Sequence, residues 1–344
     1  MSGTSLDGLD IAFCEFKKSS QKWKYKILKA KTFSYSFQWK NKLANAHKLS
    51  AKNFLFLHNE FGNFIGKKVN LFLSKTNEKP DFIASHGHTI FHQPDKKLTF
   101  QLGSGAEIAA TTNIATICDF RTLDVALKGQ GAPLVPIGDE LLFNEFDFCI
   151  NIGGFANLSY SVDNQRIAYD IGPANIILNY LAKTLGQDFD EDGNLGKQGI
   201  FREKLFQKLN EIEYFSKPFP KSLSREWLEN QFIPVLQKFN YSILDVLRTI
   251  YEHIAFQISR STNFENSVKT MFFTGGGTHN SFLMKRIEHF SKNKIVIPDK
   301  KIIDFKEALI FAFLGVLRLQ GEINCLKSVT NAGKNHSGGI IFSI

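Results

Sequence analysis

Cysteine, methionine and tryptophan are scarce in this chain, at 4, 3 and 3 of 344 residues. The four cysteines, Cys14, Cys118, Cys149 and Cys325, are far apart and form no CxxC or Cys/His spacing, which argues against a zinc site. Three of them sit in the apolar runs IAFCEF, IATICDF and FDFCINI, where a buried free thiol and a reducing compartment are expected. No signal peptide is visible, and the longest apolar stretch, residues 308–319, is too short to span a bilayer. The expectation is a cytoplasmic protein with no membrane partner. Neither a Walker pattern GxxxxGK[ST] nor a GxGxxG followed by an acidic residue occurs, which excludes a P-loop enzyme and a dinucleotide dehydrogenase. The net charge is +9, yet the basic clusters QKWKYKILKAK and KPFPKS are short, scattered and without a nucleic-acid motif. No nucleic-acid partner is expected; a mildly basic face suits an anionic small molecule such as a nucleotide.

What is present is a phenylalanine-rich globular composition long enough for two domains. Residues 9–16, 81–85, 112–119, 146–160, 166–171, 268–274 and 294–298 read as strands. Residues 52–75 and 242–261 carry apolar side chains at helical spacing, and 305–319 is apolar nearly all round, as in a buried helix. Strands alternating with helices imply an α/β protein with mixed sheets flanked by helices. A boundary near residue 140 divides it into 1–140 and 141–344, with a C-terminal segment free to pack back on the first part. Each part opens with a strand and a glycine-rich turn, the grammar of an internal duplication around a cleft.

Three glycine-rich turns stand out: GTSLDG (residues 3–8), NIGGFAN (151–157) and FTGGGTHN (273–280). Such turns offer backbone N–H groups to phosphates, although each alone also serves as an ordinary turn beside a strand. Asp7 adds a carboxylate for a metal or a water. Asp170 in IAYDIGPAN ends a strand before a Gly-Pro turn, where it either caps the helix 175–185 or faces a loop as a catalytic group. Asp119, Arg121 and Asp124 form a polar knot, in which an Arg–Asp pair is expected to be structural. His86, His88 and His92 in ASHGHTIFHQP lack the companions of a metal site, and that stretch reads as a loop presenting groups such as Thr89 to a polar substrate. Glu307 opens the apolar helix, satisfying its dipole or looking into a cleft.

The motifs MSGTSLDG, SHGHTIFHQP, DFRTLDVALKGQGAPLVP, NIGGFAN, YDIGPAN, FPKSLSREW, GGGTHN and KEALIFAF follow in an order that resembles the anhydro-N-acetylmuramic acid kinases. The resemblance implies a two-lobed actin-like (ribonuclease H-like) ATPase fold closing over ATP and Mg²⁺. It implies a phosphotransferase with an alcohol group as acceptor, acting in cell-wall recycling. Water attacks the anomeric carbon of 1,6-anhydro-N-acetylmuramic acid, and the freed 6-oxygen takes the γ-phosphate to give N-acetylmuramic acid 6-phosphate. By the same resemblance Asp170 is the general base. Gly3, Thr4, Ser5, Leu6, Asp7, Gly8, Leu9 and Asp10 hold ATP phosphates, and Asp7 holds Mg²⁺ directly or through water. Gly153, Gly154, Gly275, Gly276, Gly277 and Asn280 line the rest of the nucleotide site. Thr89, Arg121, Asn175 and Glu307 hold the sugar, and a homodimer is left open. Three departures accompany the likeness. An apolar strand expected before MSGTS is missing, Ala174 stands where a glycine is usual, and Thr122 and Leu123 stand where arginines are frequent. The alternatives are a kinase of the same fold for another sugar or acid, or an ATP-binding protein inactivated by loss of that strand.

Overall fold

The lysine-rich run near the N-terminus is a strand. Lys22, Lys24 and Lys26 are exposed and alternate with the more buried Trp23, Tyr25 and Ile27, the period of two that separates the faces of a sheet. The computed structural model describes all residues except 4, 5, 21, 75, 77 and 264–266, so the expectations for Thr4 and Ser5 lie outside the described residues.

In chain order the elements that position the site begin with β1 (Gly8–Ser19), β2 (Lys22–Ser34), α1 (Ala51–Leu73), β3 (Ile83–Ser85), β4 (His88–Gln93), β5 (Leu98–Leu102) and β6 (Thr116–Cys118). Next come β7 (Phe148–Ile152), β8 (Phe155–Val162), β9 (Gln165–Pro173), α2 (Asn175–Thr184) and α3 (Ile243–Arg260). The last are β10 (Thr270–Thr274), α4 (Ser281–Phe290), β11 (Lys294–Val296), α5 (Lys300–Leu319) and β12 (Ile340–Phe342). They form two units, Met1–Leu142 with Phe305–Ile344, and Phe143–Asp304.

In the second unit one five-stranded sheet has the order β11-β10-β7-β8-β9. The consecutive strands β7, β8 and β9 pair antiparallel, while β10 joins β7 and β11 in parallel. Three antiparallel strands followed by two parallel ones is the ribonuclease H-like arrangement of an actin-like lobe. On α3 the residues Leu247, Ile250, Ile254 and Ile258 make a fully apolar stripe. They share one core with Ile150, Ile152 and Leu158 of the sheet. Each such side chain contributes about 1.5–3 kcal/mol by leaving water.

In the first unit β1 and β2 pair antiparallel from Gly8 opposite Ser34 to Ser19 opposite Lys22. A separate sheet has the order β12-β6-β3, and β4 pairs antiparallel with β5. Ser2 makes single bridges to Leu9, antiparallel, and to His88, parallel. Met1 and Asp10 exchange both main-chain hydrogen bonds, at 2.8 and 2.9 Å. Beyond Met1 lies a cavity of about 650 Å³, lined by β1, β3, one face of α1 and part of α5.

Four expectations are corrected. Residues 88–93 are a strand rather than a loop. Of the expected strand 112–119 only Thr116–Cys118 is extended, because Gly105–Thr112 is helical and Asn113 turns left-handed to end it. The expected strand 146–160 is two strands divided at Gly153 and Gly154. The apolar helix begins at Lys300 rather than 305, where the Asp299 carboxylate accepts the Ile302 N–H at 3.0 Å, a side-chain cap.

Candidate active site

Asp170 lies on β9 opposite Asn157, beside a register shift in β8. Its Oδ2 accepts the Leu223 N–H at 2.8 Å. Its own N–H donates to Lys221 O at 3.2 Å, and its carbonyl accepts the Tyr214 hydroxyl at 2.7 Å. The chain is therefore fixed on both sides of the carboxylate, and Oδ1 has no protein donor among the described residues. Burial pushes the Asp170 carboxyl above the usual range, with the Leu223 N–H opposing it in part. Asp170 does not cap α2: the position before that helix is Ala174, which gives no side-chain cap. Ala174 has φ −128°, so its methyl group meets none of the left-handed strain that would demand glycine.

The glycine turns divide into those the fold needs and those it does not. In the first, Leu6 has φ +58° and its N–H reaches Gly3 O at 3.3 Å. A Cβ on Gly8 would meet Thr32 Cγ2 at 2.7 Å, so that glycine lets β2 approach. The Leu9 side chain belongs to the core, while Asp10 Oδ1 accepts the Thr32 hydroxyl at 2.5 Å. In the second turn the carbonyls of Gly153 and Gly154 accept the N–H groups of Asn175, Ala174 and Ile176. The start of α2 is thereby tied to the hairpin, and Asn175 Nδ2 donates back to Ile152 O at 3.3 Å.

In the third turn Gly275 has φ +86°, and a Cβ there would lie 2.7 Å from Ile152 O; one on Gly277 would collide with Ile152. A Cβ on Gly276 would find its nearest atom at 4.0 Å, and one on Gly154 at 3.8 Å. Gly276 and Gly154 are thus open above the backbone. Asn280 is not open: its Oδ1 caps α4 through the Leu283 N–H at 3.0 Å, and its Nδ2 donates to the Tyr251 hydroxyl at 2.9 Å. Tyr251 in turn donates to Asp190 Oδ2 at 3.0 Å. A cavity of about 450 Å³ adjoins this turn, with Gly276, Gly277, Asn175, Phe189, Glu191 and His279 among its walls.

In the first unit the expected Arg–Asp pair does not form. Arg121 Nε donates to His86 Nε2 at 2.9 Å and Nη1 donates to Gly131 O at 2.6 Å. Because a guanidinium only donates, His86 must accept at Nε2 and carry its proton at Nδ1, which lies 3.0 Å from Gly87 O. Burial, with Arg121 beside it, holds the imidazole well below its ordinary pKa, so it stays neutral. Nη2 of Arg121 has no acceptor among the described residues. Glu307 keeps part of its surface in solvent, yet protein atoms crowd its carboxyl, and that desolvation outweighs the pull of Arg121 and holds it above the carboxylate range. Thr89 is on β4 opposite Gln101 of β5. The other two histidines also have separate partners: His88 Nδ1 lies 2.9 Å from Ser2 Oγ, and His92 Nδ1 lies 3.1 Å from Thr99 Oγ1.

The whole chain, residues 1–344, matches the family described as anhydro-N-acetylmuramic acid kinase. It belongs to that family. Proteins named anhydro-N-acetylmuramic acid kinase are 33% identical in Vibrio cholerae serotype O1, over 99% of this chain and 96% of the relative. The one from Francisella tularensis subsp. novicida is 34% identical over 96% of this chain and 94% of the relative. The chain is therefore a kinase, a phosphotransferase acting on a small-molecule sugar. Among the described residues no helix of this kinase is long and apolar enough to cross a membrane.

Several residues of the candidate site escaped the sequence. Asp190 and Tyr251 are 61 positions apart and meet only through packing, and the Leu223 N–H comes from 53 positions beyond Asp170. No local pattern marks such partners. Phe189, a large apolar side chain 58% exposed, lines the same cavity as Asp190 and Tyr251, and nothing in the sequence set it apart.

Proposed function

We propose that this kinase opens 1,6-anhydro-N-acetylmuramic acid with water and phosphorylates the freed 6-oxygen from ATP, giving N-acetylmuramic acid 6-phosphate for cell-wall recycling. The observation that carries the reading is Asp170: one carboxylate oxygen is fixed by Leu223 while the other is left for a water. A carboxylate whose basicity is raised by burial takes a proton from that water as it attacks the anomeric carbon. The anomeric C–O bond breaks, and the oxygen that leaves is the one that receives the phosphoryl group. ATP with Mg²⁺ supplies that group and neutralises charge on the phosphates.

The residues fit those two ligands. The open backbone at Gly154 and Gly276 suits phosphates, and the cavity of about 450 Å³ beside Gly276 is within the size range of small-molecule sites. The exposed Phe189 ring suits the nucleoside base. The Asp7 carboxylate is exposed and offers the hard oxygen donor that Mg²⁺ takes, directly or through water. Arg121, anchored by two of its nitrogens, presents Nη2 to the lactyl carboxylate of the sugar. Glu307 and Thr89 hold sugar hydroxyls. The test is to incubate the protein with ATP, Mg²⁺ and the anhydro-sugar and to follow ADP and the 6-phosphate by mass spectrometry. ATP consumed without the 6-phosphate, or no consumption, refutes the reading.

A further inference from the structure

The four cysteines show no metal-binding spacing in sequence, but folding brings one of them to a His and an Asp. We propose that Asp124, Cys325 and His336 bind one zinc ion. Asp124 is fully buried, Cys325 is 2% exposed and His336 is 7% exposed. Cys325 Sγ lies 3.0 Å from Asp124 Oδ1, and His336 Nε2 lies 3.3 Å from the same oxygen. All three ligand atoms lie within 4.8 Å of one another, and no other such group occurs among the described residues.

His336 supplies the independent sign. Its two ring nitrogens are buried without a hydrogen-bond partner, so the contact with Asp124 is close but not directed as a hydrogen bond. Two atoms on a tetrahedral zinc at about 2.0–2.1 Å each are about 3.3 Å apart, which is the His–Asp separation found. A zinc-bound thiolate sits about 3.5 Å from a carboxylate oxygen on the same ion, so Cys325 needs to retreat by about half an ångström. The backbones of Cys325 and His336 hydrogen-bond to each other in both directions, at 3.1 and 3.2 Å, and hold these two ligands face to face. Asp124 Oδ1 also accepts the Thr330 hydroxyl at 2.7 Å.

Binding replaces the Cys325 proton, released to solvent, by the metal. A thiolate, a carboxylate and a neutral imidazole around Zn²⁺ leave no net charge, which suits a buried site. Sulfur and imidazole ligands select zinc over Mg²⁺ or Ca²⁺. Asp124 Oδ2 stays on the Gly131 N–H at 2.7 Å, and the Gly131 carbonyl accepts Arg121. The ion thus secures the loop that orients Arg121, away from the reacting atoms.

The experiment strips the full chain with a chelator and titrates it with Co²⁺, a spectroscopic stand-in, and then with Zn²⁺. One equivalent of Co²⁺ should give a thiolate-to-cobalt charge-transfer band and tetrahedral ligand-field bands, all abolished by one equivalent of Zn²⁺. Cys325→Ser should remove the charge-transfer band. His336→Gln should weaken Zn²⁺ by at least the ~10–100-fold that losing an outer partner costs. The reading on the unaltered chain does not depend on either variant folding. A chain that gives no thiolate band, binds far less than one equivalent of Zn²⁺, or keeps the band in Cys325→Ser overturns the proposal.

Discussion

Replacing Asp170 by Asn separates what the carboxylate does for the reaction from what it does for the fold. The amide oxygen of Asn can still accept the Leu223 N–H, so the 2.8 Å anchor persists while the proton acceptor is removed. Losing a positioned general base lowers turnover by about 10²–10⁴-fold, or roughly 2.7–5.5 kcal/mol of barrier. Stability moves the other way. Because the folded-state pKa of Asp170 is raised above its unfolded value, its ionised form is disfavoured by folding, and its contribution falls as pH rises from the unfolded pKa through the folded one. Asn carries no charge to desolvate. Against that gain stands about 1 kcal/mol, the difference between a charge-assisted and a neutral hydrogen bond. The raised pKa means that desolvation is the larger of the two. The variant should therefore melt no lower than the parent at pH 7, and higher by about 1–2 °C for each kcal/mol of net gain. The advantage should fade as pH falls through the ordinary carboxylate range. Calorimetric melting at several pH values, nucleotide and sugar titrations, and ADP release measure all three. Near-native turnover, or a clear loss of stability at pH 7, refutes the reasoning.

Other outcomes follow from the same geometry. Gly276→Ala, with its nearest atom at 4.0 Å, should leave stability within about 0.5 kcal/mol yet weaken nucleotide binding, whereas Gly277→Ala should destabilise by about 1–3 kcal/mol through its clash with Ile152. Unchanged nucleotide affinity in the stable Gly276 variant would return that turn to a purely structural role. Arg121→Lys keeps the charge but cannot serve His86 and Gly131 together, and losing one charge-assisted bond should raise the KM for the sugar about 10–150-fold with the KM for ATP unchanged. Equal effects on both KM values count against Arg121 as the sugar's carboxylate partner. A short Val- and Ile-rich segment joined ahead of Met1, continuing the pairing of Met1 and Ser2 into the 650 Å³ cavity, should raise the melting temperature. Melting at the parent's temperature would mean that the cavity does not take a strand.

Long apolar stripes made α1 and α3 legible, because Leu57, Phe61 and Ile65, or Leu247, Ile250 and Ile254, recur at a spacing only a helix aligns. β2 was hidden by its lysines: the same alternation that makes it a strand reads as scattered charge when only composition is weighed. The β4 hairpin was hidden by its histidines and Gln93, since His88 finds Ser2 in a distant segment and His92 finds Thr99 across the hairpin. Asp170 was singled out from IAYDIGPAN as a strand-end residue before a Gly-Pro turn, but β9 runs on through Gly172 and Pro173, which pair with Ala156 and Phe155, so Asp170 lies inside the strand. Asn280 was legible as a turn residue entering a helix, and its cap to the Leu283 N–H is local, but its bond to Tyr251, 29 positions away, was not legible. Arg121 was singled out, yet its neutral His86 partner was not foreseen, because which groups meet a guanidinium is decided by packing.

The cavity beside β1 also bears on how the molecule meets its neighbours. Sheet edges with free N–H and C=O groups ordinarily invite other chains to add on, and repeated addition builds fibres. Here the β1 and β3 edges share their cavity with side chains of α1 and α5, including Ile65, Val69, Phe72 and Phe311. A neighbouring sheet is two layers of side chains thick and cannot enter such a slot. A single extended segment can, and once seated it uses both edges and leaves none to propagate. Association through this face therefore ends after one guest, so crowding should yield discrete adducts rather than growing aggregates.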